Sequence, residues 1–281
     1  MFENAAARMP NDYFVNTERF VHLLRMTQIE LAMDNCEVAF DKLATLEGLA
    51  AENARRYPDE YDAALMPVSA ASILSRAYRC LGRMDEAYAV LQNLMPTLDS
   101  LRESHPSHKS ELLEYTVFLR QSMSEIMQIR SGYAASTGDL LKAVDAGREW
   151  LSIEDSNMKA RTSVRLALRG LAIAYYESGD YENARSWYDE YFAFRNKYWP
   201  DSRPTWDRFV QRAISQFRTG EFVPAEATLL KYEQVMRGKH DSNSTEQTLA
   251  SHQKSIEFLQ DLYQAWGKPE EASKWAQKLM D

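Results

Sequence analysis

The chain has 281 residues, 45% of them hydrophobic, with a formal net charge of −8 and only 10 Gly and 9 Pro. That length supports a substantial core, and so few turn residues exclude an all-β fold, which leaves an all-helical protein. The acidic balance argues against a general nucleic-acid binder, because neutralising phosphates takes a basic surface.

Residues 1–12 read as a frayed lead-in carrying Pro10, and residues 13–281 as a single domain. The first helix is predicted over about Tyr13 to Met33, with Phe14, Phe20, Leu23, Leu24 and Ile29 among its apolar residues, and its partner carries Val38, Ala39, Leu43, Leu46 and Leu49. The stretch 55–67, with two prolines and three acids, breaks the periodicity and reads as a loop insertion. A second pair over about 68–98 places Ile73, Leu74, Tyr78 and Leu81 before Gly82, then Ala87, Leu91 and Leu94 after it. Pro96 should kink or stop that second helix, and residues 99–110 read as another insertion.

The third pair is predicted as a long helix over 111–136, a turn at Gly138 and a short partner over 139–153, with Gly147 where a bulky residue is usual. The fourth pair is the best formed. Leu168, Leu171, Ala172 and Tyr175 share one helix face, Gly179 ends the helix, Asp180 caps the next, and Ala184, Tyr188, Tyr191 and Phe192 line it. Pro200 and Pro204 bracket a tight connection to the fifth pair, in which Phe209, Ile214 and Phe217 precede Gly220 and Pro224 falls in a first helical turn. The polar stretch 237–247 reads as a flexible loop. The sixth pair carries Ile256, Leu259, Leu262, Tyr263, Ala272, Trp275 and Leu279, with Pro269, Glu270 and Glu271 at the positive dipole end of its last helix.

One offset recurs through these pairs. Asp34, Gly82, Gly138, Gly179, Gly220 and Gly267 are each followed five residues later by alanine, at Ala39, Ala87, Ala143, Ala184, Ala225 and Ala272, and the successive turns lie 48, 56, 41, 41 and 47 residues apart. A small residue at that point lets two helix axes approach closely. The pattern leucine, small residue, tyrosine, glycine, alanine, aromatic resembles the tetratricopeptide repeat, in the longer form of the kinesin light chain type, since the period exceeds the usual 34. The ending LQDLYQAWGKPEEASKWAQKL also resembles the terminal repeat of bacterial serine/threonine kinases that carry such arrays. No glycine-rich loop, HRD or DFG accompanies it, so no kinase activity carries over. The resemblance implies an all-α, right-handed superhelical solenoid of about twelve antiparallel helices, and a concave groove lined by the first helix of each pair.

Carried onto these turns, the groove positions of the family fall on Gln28, Arg76, Arg79, Gln128, Arg169, Tyr176 and Arg218. Four arginines facing one groove could take carboxylates bidentately, which points to an acidic peptide segment or partner protein. The competing reading pairs them with nearby acids such as Glu177 or lays them along apolar helix surface. The lysine and paired asparagines of the family's carboxylate clamp are not found. The expected function is a non-catalytic scaffold that binds a peptide or protein in its groove; the alternative is a regulatory or ligand-sensor domain of a signalling protein.

No Ser/His/Asp arrangement, phosphate loop or metal-ligand spacing appears, so neither catalytic residues nor a cofactor or metal are assigned. His105 and His108 read as solvated loop residues, and His22, His240 and His252 as isolated ones. The only two cysteines, Cys36 and Cys80, fall beside predicted helix ends, where a disulfide framework or zinc site is not expected. No apolar run reaches the roughly 18 residues of a membrane span, and no basic segment leads an apolar one at the N-terminus, so a soluble cytoplasmic protein is expected.

Overall fold

A computed structural model describes residues 12–201 and 205–279; the rest of the lead-in, and Pro204 of the fourth connection, lie outside them. Twelve α-helices and one short 3-10 turn are found among the described residues, and no strand. In chain order they are α1 (Tyr13–Ala32), α2 (Cys36–Arg56), α3 (Tyr61–Cys80), α4 (Met84–Ser104), the turn Pro106–His108, α5 (Lys109–Ser131), α6 (Tyr133–Ile153), α7 (Met158–Glu177), α8 (Tyr181–Tyr198), α9 (Trp206–Arg218), α10 (Phe222–Ser242), α11 (Glu246–Ala265) and α12 (Pro269–Gln277). They form six consecutive pairs. The chain divides into two compact units, one up to Val164 and one from Arg165 onward, each described by itself.

The turn inside most pairs is built the same way. At Gly82, Gly179, Gly220 and Gly267 the backbone takes φ between 72° and 88°, and the following residue donates its amide to a carbonyl five residues back, as in Arg83 N to Tyr78 O at 2.8 Å and Asp180 N to Tyr175 O at 2.9 Å. This six-to-one bond satisfies a carbonyl that the helix end leaves open. Asp34 closes the first pair in the same manner without glycine, at φ 58°, with Asn35 N bonding Glu30 O at 2.9 Å. The alanines five residues beyond, from Ala39 to Ala225, are fully buried, and Ala272 nearly so. Asp180 caps α8 as expected, accepting from Asn183 N at 3.2 Å.

The third pair departs from the expected layout. Gly138 lies inside α6, and the chain reverses at Gly132, where φ is 84° and ψ 175°. Residues 133–136, read from sequence as the end of the first helix, form the first turn of the second. Ala143 still occupies the buried crossing point. Gly147 is explained by a neighbour: a Cβ there would lie 2.5 Å from Val164 Cγ2 of α7. The absent side chain is what lets these two helices touch.

The three supposed insertions are mostly helix. Residues 61–67 belong to α3, 99–104 to α4 and 109–110 to α5, while α10 runs on to Ser242 and α11 begins at Glu246. Pro67 and Pro96 both sit within helices that continue past them. The repeats exceed 34 residues because their helices reach about 20 residues, not because their loops are long. Pro224 and Pro269 lie in first turns, where a missing amide hydrogen costs no bond.

In the first unit, Phe20, Leu43, Leu46, Met66 and Ile73 pack between the first two pairs, and Leu91, Leu98, Leu112, Leu119, Met123 and Ile126 continue the core. The second unit packs Val210, Phe217, Leu229, Leu259, Leu262 and Trp275. Two buried polar tips are satisfied: Trp150 Nε1 donates to Ser110 Oγ at 2.7 Å, and Tyr188 Oη donates to Gln211 Oε1 at 2.7 Å.

The cysteine expectation is overturned. Cys36, the first residue of α2, and Cys80, the last of α3, form a disulfide with their Cα atoms 5.7 Å apart. The histidine readings change as well. His105 and His108 lie in the partly exposed connection before α5, and both rings also rest against Tyr61, with centroids 5.5 and 3.6 Å away. His252 Nε2 sits 3.2 Å from the buried carboxylate of Glu233, and its ring stacks on His240.

Three glycine substitutions separate these roles. Gly132→Ala should lower stability by about 1 kcal/mol or more, since an L side chain strains positive φ, whereas Gly138→Ala, in open space within α6, should raise it by about 0.5–1 kcal/mol through helix propensity. The reverse order of urea midpoints would return the turn to Gly138. Gly147→Ala should lower the midpoint despite its better propensity, by a net of about 1 kcal/mol, and adding Val164→Ala should remove the penalty of the new methyl in a double-mutant cycle.

Candidate first-helix site

Within the first unit the first helices of successive pairs stand side by side. Arg79 Nη2 of α3 meets Glu125 Oε2 of α5 at 3.0 Å, and on α5 and α7 Glu114 Oε1 accepts from Lys159 Nζ at 2.9 Å while Gln121 Nε2 donates to Ser163 O at 3.0 Å. Glu111, Glu114, Tyr115, Phe118, Gln121 and Glu125 recur at three- and four-residue spacing, so they form one stripe along α5. The buried residues Leu112, Leu113, Val117 and Leu119 turn the other side of that helix inward.

Between this stripe and the start of α7 lies a cleft of about 360 Å³, lined by Glu111, Glu114, Tyr115, Phe118, Gln121, Lys159 and Ser163. Phe118 is 50% exposed, unusual for a phenylalanine in the middle of a packed helix. Burial raises the Tyr115 hydroxyl pKa above its ordinary value, an effect that a hydrogen bond with Ser69 opposes. The hydrogen bond to Glu114 raises the Lys159 ammonium pKa. Both groups are therefore un-ionised phenol and charged ammonium at neutral pH, and the cleft presents an aromatic wall between fixed polar groups.

The seven residues picked from the repeat pattern are divided between the two units. Gln28, Arg76, Arg79 and Gln128 lie in the first unit and Arg169, Tyr176 and Arg218 in the second. Arg79 is engaged by Glu125. Arg76, one turn earlier on α3, is exposed and forms no ion pair among the described residues. Gln28 is half-buried on α1. Gln128 Nε2 reaches Ser136 Oγ at 3.4 Å, tying α5 to α6. In the second unit the Arg218 guanidinium lies 6.0 Å from the Tyr181 ring and 5.3 Å from the Phe217 ring. Tyr176 packs edge-on to Tyr181 at 5.8 Å, and its hydroxyl pKa is raised chiefly by burial. Arg169 is exposed on α7.

Phe118 is not singled out by the repeat pattern. The usable signal was its company, since Glu111, Glu114, Gln121 and Glu125 share its stripe. A second cleft, of about 240 Å³, opens among α4, α5 and α6, and both of its arginines are paired: Arg102 with Asp99 and Glu149, and Arg120 with the buried Asp139 at 2.8 Å.

Models of the tetratricopeptide repeat match residues 70–105 and 166–190. No curated protein sequence matches the chain. Among solved structures, a Podosopora anserina protein assigned as a kinesin light chain with nearly identical TPR-like repeats is 16% identical, with a TM-score of 0.56 over 82% of this chain and 99% of that one. BtubC (BKLC) from P. vanneervenii is also 16% identical, with a TM-score of 0.47 over 86% of this chain and 94% of that one. Two segments of the chain thus match models of the tetratricopeptide repeat, and its fold is that of a TPR-like repeat protein.

Proposed function

We propose that this protein is a non-catalytic interaction scaffold that captures an extended segment of a partner protein along the first-helix row of its first unit, anchored in the cleft between α5 and α7. Repeats of this kind generally serve protein interaction rather than catalysis. The observation that carries the reading is Phe118, half-exposed in a cleft whose other groups are held in place. An apolar surface rimmed by ordered polar groups is what a partner side chain can desolvate with gain.

The chemistry of the rim suggests what would fit. An apolar side chain would lie on Phe118, and Glu111 and Glu125 would favour a cation beside it. Arg76 remains available for a carboxylate farther along the same segment. Because the first helices are long and rigid, these points are presented at fixed spacing, which lowers the ordering cost of binding.

Selection of short peptides from a random display library against the full chain, followed by fluorescence anisotropy, tests this. Selected peptides should carry a large apolar residue flanked by Lys or Arg, and Phe118→Ala should weaken them about tenfold. Val223→Ala, at an exposed apolar position of α10 in the other unit, should leave affinity unchanged. Equal binding by Phe118→Ala with unaltered helicity would move the site elsewhere.

A further inference from the structure

We propose that Cys36 and Cys80 form a redox-exchangeable clasp between the first two helix pairs, with low-molecular-weight thiols and disulfides as its reaction partners. The sequence holds just these two cysteines, in different pairs, and the fold places them at opposite sides of one junction. Their Cα separation of 5.7 Å lies within the range a disulfide requires. The bond spans 44 residues, enclosing α2 and α3 together with the turn between them.

The bond lies at the rim of the core that Phe20, Leu43, Leu46, Met66 and Ile73 form between the two pairs. Phe40 of α2 and Tyr78 of α3 meet with ring centroids 5.4 Å apart, and the Arg83 guanidinium lies 4.6 Å from the Tyr78 ring and 5.6 Å from the Phe40 ring. Such ring and cation contacts are individually weak and lie at the rim of the core. The covalent link therefore adds to that core at its rim, where α2 begins and α3 ends. Since α3 also carries Arg76 and Arg79, the clasp fixes the first-helix row at that end.

Accessibility makes the bond exchangeable. Cys80 is exposed and Cys36 half-exposed, so a small thiolate can approach the Cys80 sulfur directly. Attack there would form a mixed disulfide on Cys80 and release Cys36 as a thiolate, which takes up a proton. A second thiolate then attacks the external sulfur of the mixed disulfide, releasing Cys80 and one small-molecule disulfide. Two small thiols are oxidised and two cysteines reduced. Oxidation runs the same steps backward with a disulfide such as oxidised glutathione. Exposed disulfides are those that exchange in the native state, whereas buried structural ones resist.

The test uses the full chain equilibrated in glutathione buffers of graded ratio. After oxidation, native protein should show no titratable thiol, and non-reducing peptide mapping should find the segment holding Cys36 linked to that holding Cys80. After reduction without denaturant, both thiols should titrate while helicity is retained, and the melting midpoint should fall by about 5 °C or more. The variant C36S/C80S should melt with the reduced protein and ignore the buffer ratio. Free thiols surviving oxidised glutathione would show that no bond forms. A linkage reducible only after unfolding would make it a structural bond and end the exchange proposal, as would a melting shift of C36S/C80S equal to that of the wild-type chain.

Discussion

Close approach of two helices at a single alanine is the constraint on which each repeat rests. In five pairs the residue five positions past the turn at Asp34, Gly82, Gly179, Gly220 or Gly267 is an alanine buried almost completely, and in the third pair Ala143, eleven positions past Gly132, is buried in the same way. No larger side chain would leave room for the neighbouring helix. The turn supplies the geometry for that approach, because positive φ followed by a six-to-one hydrogen bond sends the chain back antiparallel within two or three residues. A helix pair made this way has apolar side chains on its outer faces too, and only stacking on the next pair removes those from water.

This explains which parts of the architecture could be read from sequence. Turn chemistry is local: glycine in the left-handed region and a small residue at fixed offset are written in consecutive positions. Helix length is not written so locally. The stretches around Pro67, Pro96 and His240 look like loops by composition, yet tertiary burial of Leu65, Met66, Val68, Leu98 and Leu101 carries the helices through. Gly138 and Gly132 show the limit most sharply. Both are glycines near the end of one apolar pattern, and only the packing of α5 against α6 decides which one turns. The groove position that the repeat pattern assigns to this pair falls on Gln128, whose side-chain amide reaches Ser136 across the turn.

Charge pairing was equally invisible in one dimension. Arg79 and Glu125 lie 46 residues apart in the chain and meet because α3 and α5 are neighbours. The exposed pair adds little stability, but it removes one cation from those available to a partner and fixes a carboxylate beside α3. The same non-local logic brings His252 onto Glu233 and His108 onto Tyr61. In each case a side chain that looks unattached in sequence is held by an element far along the chain.

Cys36 and Cys80 extend that argument from electrostatics to covalent chemistry. Beside each helix end, taken alone, a cysteine suggests nothing; their pairing depends on α2 starting where α3 ends. That coincidence follows from the repeat itself, since the second helix of one pair begins at the turn of its own pair and packs beside the first helix of the next. Residues flanking successive turns, at 34–36 and 80–82, are thus neighbours by construction. A repeat array therefore offers such junction sites at regular intervals, and a covalent bond at one of them acts on the stacking between pairs, which is the term that sets how rigidly a row of first helices presents its side chains.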